Sequence, residues 1–270
     1  MKRIIDTRIS TLLGLLGGAC VLAATAYIAQ QDITGLLNLP GLLMVLGGTL
    51  TATLVSRPLR SMVNVFKSLP RLMRDERIEI NAEIPHLLDI AYWYRLGNIN
   101  AAEQAIERVS NPMLRTGARL VIDQEPIHDI VKVLQWRIAG VRDQEQSEAH
   151  ILRIMGTFAP AFGMLGTLFG LMQMLNGLGQ NNLSQIGAAM SFALTTTLYG
   201  LVLANVIFKP LAMKMERRIQ RRIMSMNFII EGIVLLHQRR HPMVIKESLE
   251  MYMGQLQGNP QAPVSLAKAA

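Results

Sequence analysis

The residues best suited to chemistry lie in a long uncharged stretch, where a proline and several threonines interrupt the apolar side chains. Pro160 follows Gly156 by four residues, so in a helix it lacks the amide that would bond to the carbonyl of Gly156. Thr167 lies two helical turns further on, and Thr196 and Thr197 follow later in the same stretch. A free carbonyl and several hydroxyls can meet a passing cation or a water molecule. The stretch therefore contains oxygen atoms that a cation crossing this region would meet.

Small residues accompany these polar groups at helical spacing. Residues three or four positions apart lie on the same face of a helix. One helix has such a set in Gly156, Pro160, Gly163, Thr167 and Gly170. The next helix has one in Ala189, Ala193, Thr196 or Thr197, and Gly200. Small side chains at this spacing let membrane helices pack closely. Packing explains the glycines and alanines, but it does not explain Pro160. A non-conducting membrane scaffold and a conducting path are therefore both open interpretations.

The uncharged stretch contains no acidic residue from position 154 to position 208. Cation sites and proton relays inside a bilayer normally include a carboxylate. If this chain conducts, a partner must supply the acid. The histidines and the single cysteine have no metal-ligand spacing, and the sequence has no nucleophile motif or phosphate-binding loop. These features predict a channel wall without a cofactor or a structural metal, and not an enzyme.

Charge-free runs predict four membrane-spanning helices, because about 20 apolar residues cross a hydrocarbon core. The first run lies between Arg8 and Asp32, and the second lies between Asp32 and Arg57, with Pro40 near its start. The run from 154 to 208 is long enough for two spans, which the sequence GLGQNNLSQ separates. A cleaved signal peptide is the alternative for the first run, but the following QQDITG lacks the small-residue cleavage pattern.

Basic residues fall on one side of this topology. Of 27 Lys and Arg, three precede the first span, fourteen lie from Arg57 to Arg153, and ten follow the fourth span, whereas the two hairpin loops carry none. Because Lys and Arg mark the cytoplasmic side, both termini and the large loop are expected inside, in a bacterial inner membrane. This topology, with contacts to anionic membrane lipid, explains the net charge of +8 without nucleic acid.

The whole pattern predicts an all-α polytopic membrane protein with a helical cytoplasmic domain. Helical spacing in RPLRSMVNVFKSLPRLMR fits either a basic helix at the membrane surface or a helix packed within the loop domain. From Ile127 to about Leu175 only Pro160 interrupts the helical pattern, which predicts one long rod. The predicted segments are 1–56 with two spans, the helical cytoplasmic loop domain 57–150, the spans 151–208, the C-terminal helices 209–256 and a disordered tail 257–270.

Three segments carry a family resemblance: GTFAPAFGMLGTLFGLMQML, ALTTTLYGLVLANVIFKPLA and HPMVIKESLEMYM. They resemble the flagellar stator A subunits, the MotA/PomA family, and the likeness covers nearly the whole chain. The resemblance implies an ion-conducting complex in which five A subunits surround two B subunits. Each B subunit has a single membrane helix with an ion-binding aspartate, which would supply the missing carboxylate. It also implies that Pro160 and Pro210 couple ion flow to movement.

The resemblance further implies a charged contact with the rotor switch protein, carried here by Arg95 and Glu103. Sodium-type members have a second basic residue after that arginine, whereas this chain has Leu96. Threonines at the positions of Thr167 and Thr197 are similar to those of sodium-type members, so Na⁺ is favoured over H⁺ as the transported cation. The alternative is that Thr167 only bonds to its own helix backbone.

Two other function classes remain open at this point. A proton channel of the ExbB/TolQ type shares the motifs of the third and fourth spans. Those proteins have three spans and an outside N-terminus, so the four predicted spans and the Arg95 and Glu103 stretch favour the flagellar stator. The other open class is a non-conducting scaffold, in which Pro160 and the hydroxyls have no role in function.

Overall fold

The computed structural model describes residues 38–73, 83–179 and 183–258, together with Gly17. These residues form helices and the turns between them, and none is in a strand. The helices are α1 (Leu39–Ser56), α2 (Leu59–Met73), α3 (Ile84–Arg95), α4 (Ile99–Glu107), α5 (Pro112–Ile122), α6 (Ile127–Leu178), α7 (Leu183–Val202), a π-helical segment (Leu203–Phe208), α8 (Lys209–His237) and α9 (Pro242–Gly258).

Three helical stretches among these residues are long and apolar enough to cross a membrane: Leu39–Ser56, Ile127–Leu178 and Leu183–His237. The prediction of an all-α membrane chain is therefore confirmed for the described residues. The first predicted span, between Arg8 and Asp32, lies outside them, as do most of the predicted tail and the loop at 180–182.

The chain divides into two compact units. The first comprises residues 1–76 and 144–218, and its described part contains α1, α2, α7, the π-helical segment and the adjoining portions of α6 and α8. Asn38 accepts a hydrogen bond from the N–H of Gly41 and so caps the start of α1. The N–H of Asn38 donates to the hydroxyl of Tyr199 at 2.8 Å, which ties the start of α1 to α7.

The second unit comprises residues 77–143 and 219–270 and has a hydrophobic core of its own. Its largest fully buried side chains come from six helices: Ile90, Ile106, Leu114, Ile130, Leu134, Phe228, Ile233, Leu236, Ile245 and Leu249. Gly117 is buried in this core, where a Cβ would lie 2.9 Å from Ile233 Cγ1. Three short helices, α3 to α5, thus share one hydrophobic core with α9 and with parts of α6 and α8.

Local sequence features account for several helix ends. Pro85 lies in the first turn of α3, and Gly97 follows this helix with a φ of +71°, which favours glycine. Asn98 caps the next helix by accepting from the N–H of Ala101. The long rod predicted from Ile127 is a continuous helix to Leu178 that contains Pro160 and contributes to both units.

Candidate ion path in the α6 and α7 pair

Helices α6 and α7 pack closely through residues that lack side chains. A Cβ on Gly163 would lie 3.0 Å from the carbonyl oxygen of Thr196, and one on Gly200 would lie 2.7 Å from the carbonyl oxygen of Ala159. A Cβ on Gly170 would lie 2.6 Å from the Cβ of Ala193. The predicted small-residue faces therefore meet each other within one chain. At these positions any side chain would force the two backbones apart.

Thr196 lies in the middle of this contact and is fully buried. Its hydroxyl donates to the carbonyl of Ala193 at 2.8 Å. The side chain contacts α6 at Gly166, and a Cβ on Gly41 of α1 would lie 3.0 Å from its Cγ2. Thr196 thus fills a space enclosed by three helices of its own chain, which suits a packing role.

Thr167 and Thr197 are only partly buried, unlike Thr196. The hydroxyl of Thr167 donates to the carbonyl of Met164 at 2.6 Å, and that of Thr197 donates to the carbonyl of Ala193 at 3.4 Å. The backbone bond considered for Thr167 is therefore present. A hydroxyl that donates one hydrogen bond still has lone pairs that can accept or coordinate. Both threonines therefore combine a fixed orientation with an available oxygen.

Pro160 lies on the packed side of α6, where its Cα would be 3.2 Å from a Cβ on Gly200. Because proline has no N–H, the carbonyl of Gly156 lacks its usual helical partner. Gly156 itself is buried, and a Cβ there would lie 3.2 Å from Cγ of Lys209. This carbonyl lies in the turn of α6 that approaches the start of α8.

The junction between α7 and α8 contains a polar pair that the sequence analysis missed. The six residues Leu203–Phe208 form a π-helical segment directly before Lys209 and Pro210. The ammonium of Lys209 donates to Oδ1 of Asn205 at 2.8 Å, and the amide of Asn205 donates to the carbonyl of Leu201 at 3.0 Å. The four-residue spacing of Asn205 and Lys209 was the available signal. π-Helical turns occur frequently at functional sites.

An ion pair lies in the same unit. Arg153, which precedes the uncharged stretch, bonds to Glu216 at 2.6 Å. Charges thus resume on both α6 and α8 where the uncharged stretch ends. This position is typical of a membrane–water boundary.

The predicted rotor residues lie on neighbouring helices of the second unit. Arg95 is the last residue of α3, Glu103 lies on α4, and both side chains are exposed. Glu103 lines an open cleft of about 530 Å³ together with Asn100, Gln104, Ile106, Glu107, Arg119, Ile122 and Asp123. Within this cleft Arg119 pairs with Glu107 at 2.7 Å. Among the described residues no group of His, Cys, Asp and Glu could hold a metal ion.

Comparison with known proteins shows a domain-level likeness. Residues 105–227 match the MotA/TolQ/ExbB proton channel family. The matched region contains the whole of the α6 and α7 pair, so the likeness includes the candidate ion path.

Two curated relatives of the family cover almost the whole chain. Motility protein A of Aquifex aeolicus is 29% identical over 248 residues, which cover 91% of this chain and 96% of the relative. Chemotaxis protein PomA of Vibrio alginolyticus is 28% identical over 250 residues, which cover 92% and 96%. The likeness to these motility and channel proteins supports a membrane protein that is not an enzyme.

Two solved structures resemble this chain in fold. The flagellar MotAB stator complex from Bacillus subtilis matches with a TM-score of 0.80 and 25% identity, and the match covers 90% of this chain and 95% of that one. A chain of C. jejuni MotAB has a TM-score of 0.81 at 19% identity, which shows the fold alone. The sodium-type branch is not distinguished by these comparisons.

Proposed function

We propose that this chain is the A subunit of a flagellar motor stator and that it couples cation influx to torque on a rotor. The observation that carries the proposal is the uncharged part of the α6 and α7 pair, from Ile154 onward, which presents hydroxyls and a carbonyl without its usual helical partner but no carboxylate. A cation site in a bilayer normally requires an acid. The pair is therefore suited to form the wall of a path whose acid belongs to another protein.

The partner in this proposal is a B subunit with one membrane helix and a membrane aspartate. The likeness to a MotAB stator complex supports such a partner. Five copies of the A chain would surround two B chains, in the bacterial inner membrane and with both A-chain termini in the cytoplasm. Rotation of this ring around the B subunits would turn the rotor switch protein through Arg95 and Glu103.

The transported ion in this proposal is Na⁺, with H⁺ as the alternative. Thr167 and Thr197 support sodium because each hydroxyl has a fixed direction and retains lone pairs. A partly dehydrated sodium ion gains from oxygen ligands, whereas a proton travels on the carboxylate itself. Pro160 and Pro210 bracket this region, and we assign them the coupling of ion passage to helix movement.

Deletion and complementation in the source bacterium test the proposal. Loss of this gene should leave flagellar filaments assembled but paralysed, and the wild-type gene should restore swimming. Purification with a one-span partner that carries a membrane aspartate should yield a complex, whose subunit ratio can be measured by native mass spectrometry. Normal motility combined with loss of energised outer-membrane uptake would instead identify an ExbB/TolQ-type channel. A complex that assembles but supports neither process would identify a scaffold.

A further inference from the structure

Helix α2 carries an apolar stripe that the described part of the chain leaves uncovered. Its members are Leu59, Val63 and Phe66, with exposed fractions of 65%, 41% and 51%. They follow each other by four and three residues, so they lie on one face of the helix. Exposed apolar side chains that lie scattered and single are ordinary, whereas a contiguous stripe of this kind marks an interaction surface.

A different face of α2 already packs against protein. Met62 and Val65 are buried, with exposed fractions of 4% and 1%. At 100° per residue, these two side chains lie to one side of the stripe. Contacts within the described part of the chain therefore account for the burial of Met62 and Val65 but leave Leu59, Val63 and Phe66 exposed.

Basic residues border the stripe on its other side. Arg60 follows Leu59 and Lys67 follows Phe66, so both project about 100° further around the helix. Both side chains are exposed. A helix with an apolar face bordered by Lys and Arg is typical of segments that lie in the interface of an anionic membrane, where long basic side chains reach the headgroups.

The position of α2 along the chain identifies what covers the stripe. Helix α1 is a membrane-length apolar helix that ends at Ser56, and α2 begins at Leu59 in the same unit. Only Arg57 and Pro58 separate them. A helix that starts this soon after a membrane span begins at the level of the lipid headgroups.

We propose that α2 is an interfacial helix that inserts Leu59, Val63 and Phe66 into the bilayer surface and binds anionic lipid headgroups through Arg60 and Lys67. The protein would thereby have a surface next to α1 that binds lipid. This role is independent of ion conduction, because none of its residues belongs to the α6 and α7 pair.

Spin labels on the full-length chain in lipid nanodiscs test the insertion. Cys20→Ser first removes the single native cysteine, and Val63→Cys or Phe66→Cys then places a label in the stripe. Asn64→Cys is the matched control, since Asn64 is exposed and lies off the stripe. The ratio of collisions with oxygen, which dissolves in lipid, to collisions with a water-soluble nickel chelate should be several-fold higher at 63 and 66 than at 64.

Three results would overturn the insertion. Preferential contact with nickel at 63 and 66 would place the stripe in water. Exclusion of both reagents would place it against protein, and spin–spin broadening would identify a second copy of this chain as its partner.

Lipid retained after detergent extraction tests the headgroup contact. Wild-type chain should retain anionic phosphatidylglycerol over phosphatidylcholine, and Arg60→Gln with Lys67→Gln should lower that preference by about fivefold per charge removed. Arg108→Gln with Arg142→Gln removes the same charge from exposed positions of the other unit and should leave the preference unchanged. An equal fall in both variants, or a fall in neither, would contradict specific contact at α2.

Discussion

Gly166 of α6 and Thr196 of α7 meet so closely that a side chain on the glycine would overlap the threonine. A Cβ on Gly166 would lie 2.7 Å from Cγ2 of Thr196 and closer still to its hydroxyl oxygen. The Thr196 side chain cannot move away from such a group, because it is fully buried and also contacts α1 at Gly41. This contact, together with those at Gly163, Gly170 and Gly200, therefore fixes the separation of the two helices that flank the proposed ion path.

Gly166→Ala should destabilise the chain by about 1–3 kcal/mol, because the new methyl group overpacks the space that Thr196 fills. The decrease should be visible in thermal unfolding of the full chain in nanodiscs. Gly140→Ala is the matched control in the same helix, since nothing lies within 4 Å of a Cβ there. That control should raise stability by about 0.5–1 kcal/mol, because alanine favours a helix more than glycine does.

A second substitution shows whether Thr196 causes the effect. Thr196→Ala frees space for the new methyl group, so the double variant should be less destabilised than the sum of the two single variants. Additive effects would mean that Gly166 is required for another reason.

The sequence was sufficient to predict the helices that the structure describes, but not the different roles of the adjacent residues Thr196 and Thr197. The uncharged runs, Pro40, Pro85 and the Gly97 turn follow from local backbone chemistry and hydrophobicity, which one sequence contains. Thr196 and Thr197 are neighbours of the same type, and only the phase of α7 against α1 and α6 makes one buried and the other partly open. That phase is a tertiary property. The π-helical register before Pro210 also depends on tertiary context, because LANVIF has no residue that requires it.

Thr167→Val should weaken the dependence of swimming on sodium if its hydroxyl meets the ion. Valine keeps the branched shape but has no oxygen, whereas Thr167→Ser keeps the oxygen. At fixed pH, the valine variant should need more external sodium to reach half-maximal speed, by about tenfold for each 1.4 kcal/mol of lost coordination. The serine variant should stay close to wild type.

Thr51→Val is the control for loss of a membrane-helix hydroxyl. Thr51 is exposed on α1 and, like Thr167, donates to its own backbone, here to the carbonyl of Gly47 at 2.7 Å. It should leave the sodium dependence unchanged. A wild-type motor that is indifferent to external sodium would reject sodium coupling and favour protons.

Arg95→Glu and Glu103→Arg should each reduce torque if these residues contact the rotor. Both side chains are exposed, so charge reversal should leave the free energy of unfolding within about 0.5 kcal/mol. Motor torque from tethered-cell or bead rotation is the measurement. Arg108→Glu, on an exposed residue of the same unit, is the control and should have little effect.

Leu96 bears on the size of the torque loss. It occupies the position where sodium-type stators have a second basic residue, and its side chain is 61% exposed. If the rotor contact contains fewer charges, one charge reversal should cause a larger loss of torque, because few other ion pairs contribute to the contact. Unchanged torque in both single variants and in the double variant would exclude Arg95 and Glu103 as rotor contacts.

Glu231 should make the stability of the second unit depend on pH. It lies on α8 one turn after Phe228, whose ring packs against that of Tyr252 with centroids 6.2 Å apart. Burial raises the pKa of the Glu231 carboxyl above its ordinary value of 4.5. Burial, and then the charge of Glu231, raises the pKa of the Tyr252 hydroxyl as well.

The sign of the pH effect follows from the raised pKa of Glu231. Between its unfolded and folded pKa values the native state binds more protons than the unfolded state, so stability falls as pH rises through that window. Glu231→Gln should therefore be more stable than wild type at neutral pH, and its advantage should vanish below pH 4.5. Glu247→Gln, on an exposed residue of α9, should leave the profile of unfolding free energy against pH unchanged. A Glu231→Gln chain that is less stable at neutral pH would mean that a partner stabilises the carboxylate more than burial penalises it.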